Sequence, residues 1–372
     1  MIMSTSTRTA RERLARRKKS MAWTFCLVLV LSMALPLGAY LVTTPGAVAQ
    51  PAGERFSEEH ATNPRSDTWR HARADGEGFT TASGPYVTNQ LISNIGENWR
   101  QMRNGPVKAV GSWVMGLSLA AVALFFLVRG RIRLDGGRSG MTVPRWTVFE
   151  RSVHWFVAIS FIILSITGLS LLFGRHVLIP LMGNAGFAGY AQAAMYVHNF
   201  LGPAFGVALL VMILMWIRNN IPTGTDLKWF ATGGGLIGKG HPSAGKLNGG
   251  EKVWYWLGVV IMGSIVVVTG FILDFPNWGQ SREIMAWSQV LHAVVAMFWI
   301  AFAFGHIYIG TLGTEGAFEG MAKGRVDTNW AKQHHDLWYD ELIQQGVKPE
   351  PAEEAGATAP SPEPAAGQKP TS

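Results

Sequence analysis

The sequence predicts an all-α integral membrane protein. Three observations predict this fold class. There are several apolar runs of about 20 residues, a length that spans a hydrocarbon core of about 30 Å. Only 15% of the 372 residues are charged, whereas soluble domains usually carry about a quarter. The basic residues collect beside the ends of the apolar runs, so the net charge of +8 follows the positive-inside pattern and does not indicate a nucleic-acid-binding protein.

The first apolar run has the features of a secretory signal peptide. A basic stretch at 11–19 precedes it, and Ala47-Val48-Ala49 follows it as a small-x-small cleavage signature. We therefore predict a signal peptide over residues 1–49, with an uncleaved first transmembrane helix as the alternative. The only cysteine, Cys26, lies in this run. The mature chain would then have no disulfide, no thiolate-bound iron–sulfur cluster and no covalent c-type haem.

The rest of the chain divides into an arm, an extra helix, a four-helix domain and a tail. Residues 50–106 are polar and are predicted to form an arm outside the cytoplasm. An extra transmembrane helix is predicted within 107–133, where an apolar run ends in three arginines. The tail at 343–372, rich in Pro, Ala and Glu, is predicted to be disordered. Four further spans are predicted at 148–173, 194–217, 253–274 and 287–312.

Alternate connections between the spans are basic, and this predicts the orientation of the bundle. The 129–147 and 218–252 loops carry clusters of Lys and Arg, as does the C-terminal segment, whereas the 174–193 and 275–286 connections carry one arginine each. Basic connections lie in the cytoplasm. We predict a multi-pass protein of a bacterial inner membrane, with a cytoplasmic C-terminus and a periplasmic arm over 50–106.

Four of the ten histidines lie inside the predicted spans, where an ionisable side chain is costly and is a candidate for function. The topology sorts them by depth into two pairs. His154 and His306 lie near the cytoplasmic face, and His198 and His292 lie near the opposite face. His292 and His306 share one helix. Their separation corresponds to about 21 Å of helix rise, with side chains pointing within about 40° of each other.

Two histidine pairs at opposite faces predict two bis-histidine haem b groups, since neutral imidazole binds iron and haem b needs no thiol. The alternatives are packed core histidines, a single zinc or copper site, and a proton relay. A four-ligand site needs its ligands within a few ångströms, which depths about 21 Å apart exclude. A relay does not explain the paired depths.

A weak internal repeat relates two of the spans. Glu150-Arg151 and Thr167-Gly168 in one span match Glu251-Lys252 and Thr269-Gly270 in another, with a slip of one residue between the motifs. If the repeat is real, Tyr255 stands near the position equivalent to His154, and this second span carries no ligand.

Several segments around these positions resemble the gamma subunit, cytochrome b556, of respiratory formate dehydrogenase. The resemblance covers about 145–342. It implies a four-helix bundle that binds two haem b groups, with a cytoplasmic amphipathic segment at its C-terminal end. The segments that carry it are ERSVHW at 150–155, HNFLG at 198–202, NNIP at 219–222, KLNGGEK at 246–252 and WAKQHHDLWY at 330–339.

The same resemblance implies the roles of particular residues. The haem axial ligands would be paired as His198 with His292 and His154 with His306. A quinone, menaquinone or ubiquinone, would contact Asn248, Gly250 and His306. An asparagine can hydrogen-bond a quinone carbonyl and a glycine N–H is easily approached, although Asn248-Gly249-Gly250 alone would indicate a plain turn.

The resemblance also implies partners. The chain would be an electron-transfer subunit without a formate-oxidising site of its own. It would carry electrons from an iron–sulfur beta subunit across the membrane to quinone, in anaerobic formate respiration, beside a molybdenum or tungsten catalytic alpha subunit. Membrane lipid surrounds it, and no nucleic acid is expected. The rival interpretations are a cytochrome b subunit of a nickel–iron hydrogenase or thiosulfate reductase, and a haem-free membrane anchor.

Overall fold

Five helices in the described part of the chain are long and apolar enough to cross a membrane, which confirms the predicted all-α membrane fold class. The computed structural model describes residues 90–235 and 240–352, together with 76, 78–79 and 81. The predicted signal peptide at 1–49 lies outside the described residues. The five helices run over Ile95–Arg129, Val148–Val177, Ile179–Asn220, Gly249–Asp274 and Arg282–Gly313.

The first span begins earlier than predicted. After a short hairpin of β1 (Gly78–Phe79) and β2 (Gln90–Ile92), α1 (Ile95–Met102) starts inside the segment expected to be a polar arm. A π-helical stretch at Arg103–Val107 joins it without a break to α2 (Lys108–Arg129). The expected boundary at 107 is therefore wrong for this stretch.

Tertiary contacts explain why this polar segment is helical. A short helix is marginal in isolation and depends on packing. The buried carboxylate of Glu97 accepts hydrogen bonds from Arg100 and Gln101. At the end of the π-helical stretch, buried Val107 packs with Leu172 and Met297 of the four-helix core.

The first two core helices form a hairpin. α3 (Val148–Val177) begins with a capping box in which Thr147 and Glu150 exchange hydrogen bonds with each other's backbone. α4 (Ile179–Trp216) packs against α3 along much of its length. Gly183 interrupts α4 near its start, because its φ of +73° lies in a region that only glycine adopts freely.

The third core helix changes its winding along its length. α5 (Gly224–Ala231) is a short helix in the preceding loop, and the span then runs through α6 (Gly249–Val253), a π-helical stretch at Trp254–Met262, and α7 (Gly263–Asp274). A π-helical stretch holds an extra residue relative to an α-helix. This extra residue accounts for the one-residue slip between the two copies of the internal repeat.

The last core helix, α8 (Arg282–Tyr308), contacts both α2 and α7 and continues into a π-helical stretch at Ile309–Gly313. At mid-depth, the Trp299 ring packs edge-on against Phe161 with ring centres 4.8 Å apart. It also contacts Phe205 at 5.9 Å. These aromatic rings fill the bundle between the levels of the two histidine pairs.

The C-terminal segment folds back onto the entrance to α3. It contains α9 (Ala317–Lys323), β4 (Arg325–Asp327), α10 (Thr328–His334), α11 (Asp336–Gln344) and β5 (Glu350–Pro351).

A three-stranded antiparallel sheet ties this segment to the bundle. Its order is β4, β3 (Met141–Pro144), β5. The chain therefore stays ordered beyond 343, where disorder was expected, because Glu350 and Pro351 pair with β3. The Glu350 carboxylate also lies 2.9 Å from the Arg325 guanidinium. Residues 353–372 lie outside the part of the chain that the structure describes.

Candidate functional site

Two of the intramembrane histidines face each other at one end of the bundle. His198 on α4 and His292 on α8 have ring centres 6.2 Å apart. Each ring is anchored by a threonine of a neighbouring helix. Thr167 Oγ1 lies 2.9 Å from His198 Nδ1, and Thr269 Oγ1 lies 3.1 Å from His292 Nδ1. These threonines belong to the two copies of the internal repeat.

The threonine contacts define which ring nitrogen is free. Thr167 donates its hydroxyl proton to the carbonyl of Ile163 at 2.9 Å, and Thr269 donates to Ile265 at 2.6 Å. A hydroxyl has a single proton, so each threonine oxygen accepts from the Nδ1–H of its histidine. Nε2 of each imidazole therefore keeps its lone pair, the arrangement by which outer hydrogen bonds prepare a histidine for a metal.

A glycine beside each threonine makes the surroundings of His198 and His292 alike. A Cβ on Gly168 would stand 3.2 Å from His198 Cε1, and one on Gly270 would stand 3.3 Å from His292 Cε1. Both distances are too short for a side chain without displacement of the ring. The two Thr-Gly pairs thus seat the two histidines in the same way, and the repeat has a structural basis.

The other two histidines meet at the opposite end of the bundle. His154 on α3 and His306 on α8 have ring centres 6.3 Å apart. The indole of Trp254 stacks on His306, with a ring separation of 4.5 Å and an angle of 6° between the planes. His154 Nδ1 is buried and has no hydrogen-bond partner among the described residues. Tyr255, in the matching part of the repeat, donates its hydroxyl proton to the Ile213 carbonyl.

The separation within each pair fits two imidazoles that share one metal ion. Imidazole–metal bonds are about 2.0 Å, and a ring nitrogen lies about 1.1 Å from the ring centre, so opposed imidazoles have centres about 6.2 Å apart. The observed 6.2 and 6.3 Å meet this value. The two imidazoles of one pair would be able to hold the iron of a haem b group together, since the macrocycle supplies the other ligands. Within the described ranges, no group of three or more His, Cys, Asp or Glu side chains could hold a metal ion.

Asn248 caps the third core helix. Its Oδ1 accepts a hydrogen bond from the Glu251 N–H at 3.0 Å, and its own N–H donates to Glu251 Oε2 at 2.8 Å. This capping box assigns the amide orientation and leaves the Nδ2 donor without a partner among the described residues. Gly250 lies in the first turn, where the Trp229 ring packs so closely that a Cβ would stand 3.0 Å from it.

Asn248 and Gly250 lie near the His154–His306 pair along the helix. Trp254, which stacks on His306, follows Asn248 by about 9 Å of helix rise. The three residues that the resemblance assigns to a quinone, Asn248, Gly250 and His306, are therefore at the same end of the bundle.

A buried guanidinium connects this capping box to the C-terminal segment. Arg145 Nη2 donates to Glu251 Oε1 and to His335 Nε2, both at 3.2 Å. His335 Nδ1–H donates to the Gly245 carbonyl at 2.8 Å. Burial, reinforced by the Arg145 cation, holds the pKa of His335 well below its ordinary value, so the imidazole is neutral.

A second ion pair holds the loop before the capping box. Lys252 Nζ lies 2.7 Å from Asp226 Oδ2, and it also donates to the Ile221 carbonyl. Burial opposes the charge of Asp226, but hydrogen bonds from Lys252 and Thr223 outweigh it and lower the pKa of this carboxyl. This ion pair therefore holds α5, the short helix of the loop, against the start of the third core helix.

Sequence reasoning missed several residues of these sites. Trp254, Arg145 and His335 carry no motif that links them to the histidines, because their contacts are long-range. Thr167 and Thr269 did carry a signal, since the repeat includes them, but their contact with the histidines is visible only in the fold.

Comparison with known proteins adds the family. A family model described as prokaryotic cytochrome b561 matches residues 145–324. The chain is 30% identical over 216 residues to the cytochrome b556(Fdn) subunit of the nitrate-inducible formate dehydrogenase of Escherichia coli K12. The aligned stretch covers 57% of this chain and 96% of the relative.

Two further relatives agree. The cytochrome b556(fdo) subunit of formate dehydrogenase from the same strain is 27% identical, over 54% of this chain and 93% of the relative. The cytochrome b556 subunit of formate dehydrogenase from Haemophilus influenzae is 29% identical, over 52% of this chain and 80% of the relative. The chain therefore belongs to the family of formate dehydrogenase cytochrome b556 subunits.

Proposed function

We propose that this chain is the di-haem cytochrome b membrane subunit of a formate dehydrogenase and that it carries electrons across the membrane to quinone. The observation that supports this most is the geometry of the two histidine pairs. Each pair has the spacing of a bis-histidine iron site, and the pairs stand at opposite ends of one bundle. A haem-free anchor would have no need of two such pairs at matched depths.

Each end of the bundle would bind one haem b group. His198 and His292 would hold one haem b, and His154 and His306 would hold the other. Haem b supplies a centre that takes up and releases one electron at a time. The Thr-Gly pairs hold His198 and His292 with Nε2 free, and the Trp254 ring holds the plane of His306.

Quinone would bind at the His154–His306 end. The Asn248 Nδ2 is a donor without a partner among the described residues, and a quinone carbonyl is an acceptor, so the two are complementary. Gly250 lies in the same turn, has no side chain of its own and packs against the Trp229 ring, and His306 would border the site. The acceptor would be menaquinone or ubiquinone.

The orientation follows from the basic connections. The C-terminal segment and the quinone end would face the cytoplasm of a bacterial inner membrane, and the His198–His292 end would face the periplasm. Electrons would enter there from an iron–sulfur beta subunit, beside a molybdenum or tungsten alpha subunit that oxidises formate. Quinone reduction at the other end would take protons from the cytoplasm and so charge the membrane.

Haem content after loss of one ligand tests the paired ligands. In the purified complex, His198→Ala should remove one of two haems and leave the spectrum of the other. The matched control is His176→Ala, since His176 is exposed and lies in the last turn of α3 on the same side. Two intact haems in the His198 variant would rule out this pairing, and a wild-type complex without a b-type band would end the cytochrome interpretation.

A single-atom change separates the two roles of Asn248. Asn248→Asp keeps the Oδ1 acceptor that caps the helix, but it replaces the Nδ2 donor with a negatively charged acceptor. We expect quinol formation to fall by about tenfold or more, because a hydrogen bond worth about 1.4 kcal/mol is lost, while formate still reduces both haems. The comparison variant Asn248→Ala loses the cap as well and should also be less stable by about 1 kcal/mol. Unchanged quinol formation in the Asp variant would place quinone elsewhere.

A further inference from the structure

Three cations gather beside the His198–His292 pair. Arg103 and Lys108 come from the helical extension that precedes the four-helix core, and Arg175 comes from the end of α3. Lys108 lies within electrostatic range of both arginines. Neither Arg103 nor Lys108 falls in the 145–324 stretch that matches the family model.

No carboxylate neutralises these cations among the described residues. Arg103 Nη2 donates to the backbone carbonyl of Leu171 at 3.3 Å, and its guanidinium lies 5.9 Å from the centre of the Trp99 ring. The carboxylate of Glu97, which lies six residues before Arg103, is held by Arg100 at 2.6 Å. The Trp99 indole N–H is buried and has no acceptor in the same described region. Within residues 90–235 and 240–352, the cluster therefore consists of donors without anions.

The cluster stands beside the helix segments that surround the two imidazoles. Leu171, which accepts from Arg103, lies about 4.5 Å of helix rise beyond Gly168, and Gly168 contacts the His198 ring. Val107 packs with Leu172 and Met297, and partly buried residues on both sides of His292 join the same apolar cluster. The extension thus lies across α3 and α8, close to Gly168 and His292.

An anion beside the cluster would offset the mutual repulsion of its three cations. Their mutual repulsion grows as water is excluded, and this end of the bundle has few other cations because basic residues concentrate at the opposite end. A haem carries two propionate carboxylates on one edge. Charge-assisted hydrogen bonds from arginine or lysine to carboxylate are among the strongest in proteins.

We infer that Arg103 and Lys108, with Arg175, bind the propionate carboxylates of the haem held by His198 and His292. This inference rests on the proposed function. The extension is then part of a cofactor site, because two of its cations would bind the propionates of this haem.

Redox titration of the complex tests the inference. The double substitution Arg103→Ala, Lys108→Ala removes two positive charges near one haem. Loss of positive charge favours the oxidised iron, so the midpoint potential of that haem should shift to lower values while the potential of the His154–His306 haem stays unchanged. Arg175→Ala, at an exposed position that packing does not need, should shift the same potential in the same direction. Arg103→Lys keeps the charge, so the midpoint potential of this haem should stay close to the wild-type value.

Arg282→Ala is the control, because Arg282 is an exposed cation on the same side, about 15 Å of helix rise before His292. It should leave both potentials unchanged. The inference is overturned if the double variant shifts neither potential or shifts both equally. It is also overturned if the potentials hold and the iron–sulfur subunit dissociates, since the cations would then form a protein-docking site. If His198→Ala leaves both haems bound, the proposed ligands themselves are wrong; if His198→Ala removes one haem and the cation variants do nothing, only this inference fails.

Discussion

Thr167 and Thr269 offer the sharpest test of how the protein prepares its histidines. Substitution by valine keeps the shape of the side chain and removes only the hydroxyl. His198 Nδ1–H would lose its acceptor at 2.9 Å, and His292 Nδ1–H would lose one at 3.1 Å. A buried donor left without a partner costs about 1–3 kcal/mol.

The lower part of that range is expected here. The Leu164 and Val266 carbonyls, which accept from the two threonine hydroxyls, lie close to the two imidazoles, so each Nδ1–H keeps a polar neighbour. A cost of about 1 kcal/mol at each site gives about a fivefold loss of haem affinity for either single variant and about thirtyfold for the double variant. The thirtyfold loss of the double variant lies within the 10–100-fold range that is typical when outer hydrogen bonds to metal-binding histidines are removed.

Haem retention during dilution or competition with apomyoglobin, followed by the b-type absorption bands, measures the effect. The control is Thr311→Val, because the Thr311 hydroxyl also bonds the carbonyl one turn earlier but touches no histidine. The double variant should lose one haem faster and leave the other unaffected. Equal loss of both haems, or wild-type retention of both, would contradict the role of the threonines.

Three further predictions concern shape, acid stability and the buried cation. Gly168→Val should release the haem of the His198–His292 pair, because even a Cβ would stand 3.2 Å from the His198 ring; Gly116→Val, where a Cβ meets nothing within 4 Å, should retain both haems. The unfolded chain protonates His335 near pH 6.5, but the folded chain does not, so the free energy of unfolding should fall by about 1.4 kcal/mol per pH unit below about 6. Proteolysis of the C-terminal segment against pH measures this, and His335→Gln should flatten the profile. His334, whose pKa burial lowers to about 4, should leave a residual slope. Arg145→Met should lower the free energy of unfolding by about 2 kcal/mol, measured by thermal unfolding in detergent, and equal stability of the variant would show that Arg145 is not needed to hold the segment.

The membrane spans and the depths of the histidines could be predicted because both depend on local patterns. Apolar length predicts a span, and alternating charge predicts its direction. These two steps sort His154 with His306 and His198 with His292, and the structure brings each of these pairs together. The helix ends were less accurate, since the second core helix begins at Ile179 and not at 194.

The remaining features depend on contacts between distant segments. The α1 helix forms because it packs against the core. Its polar composition does not indicate a helix, and neither does Pro106 in the π-helical stretch that follows it. The sheet that orders Glu350 joins strands that are far apart in sequence. Asn248 could be predicted to form a turn or to contact a quinone, but the capping box that directs its amide appears only in the fold.

The π-helical stretch at Trp254–Met262 lets the third core helix make two separate contacts, one at each end, that require particular orientations of its side chains. At one end Asn248 and Glu251 must lock together, and at the other Thr269 must meet His292. Removal of one residue between them would turn everything that follows by about 100°, and Thr269 would point away from its histidine. The stretch therefore sets the rotational phase between the two ends. A single deletion within it should disturb the alignment of the Asn248 end with the His198–His292 end even though every one of these side chains is still present.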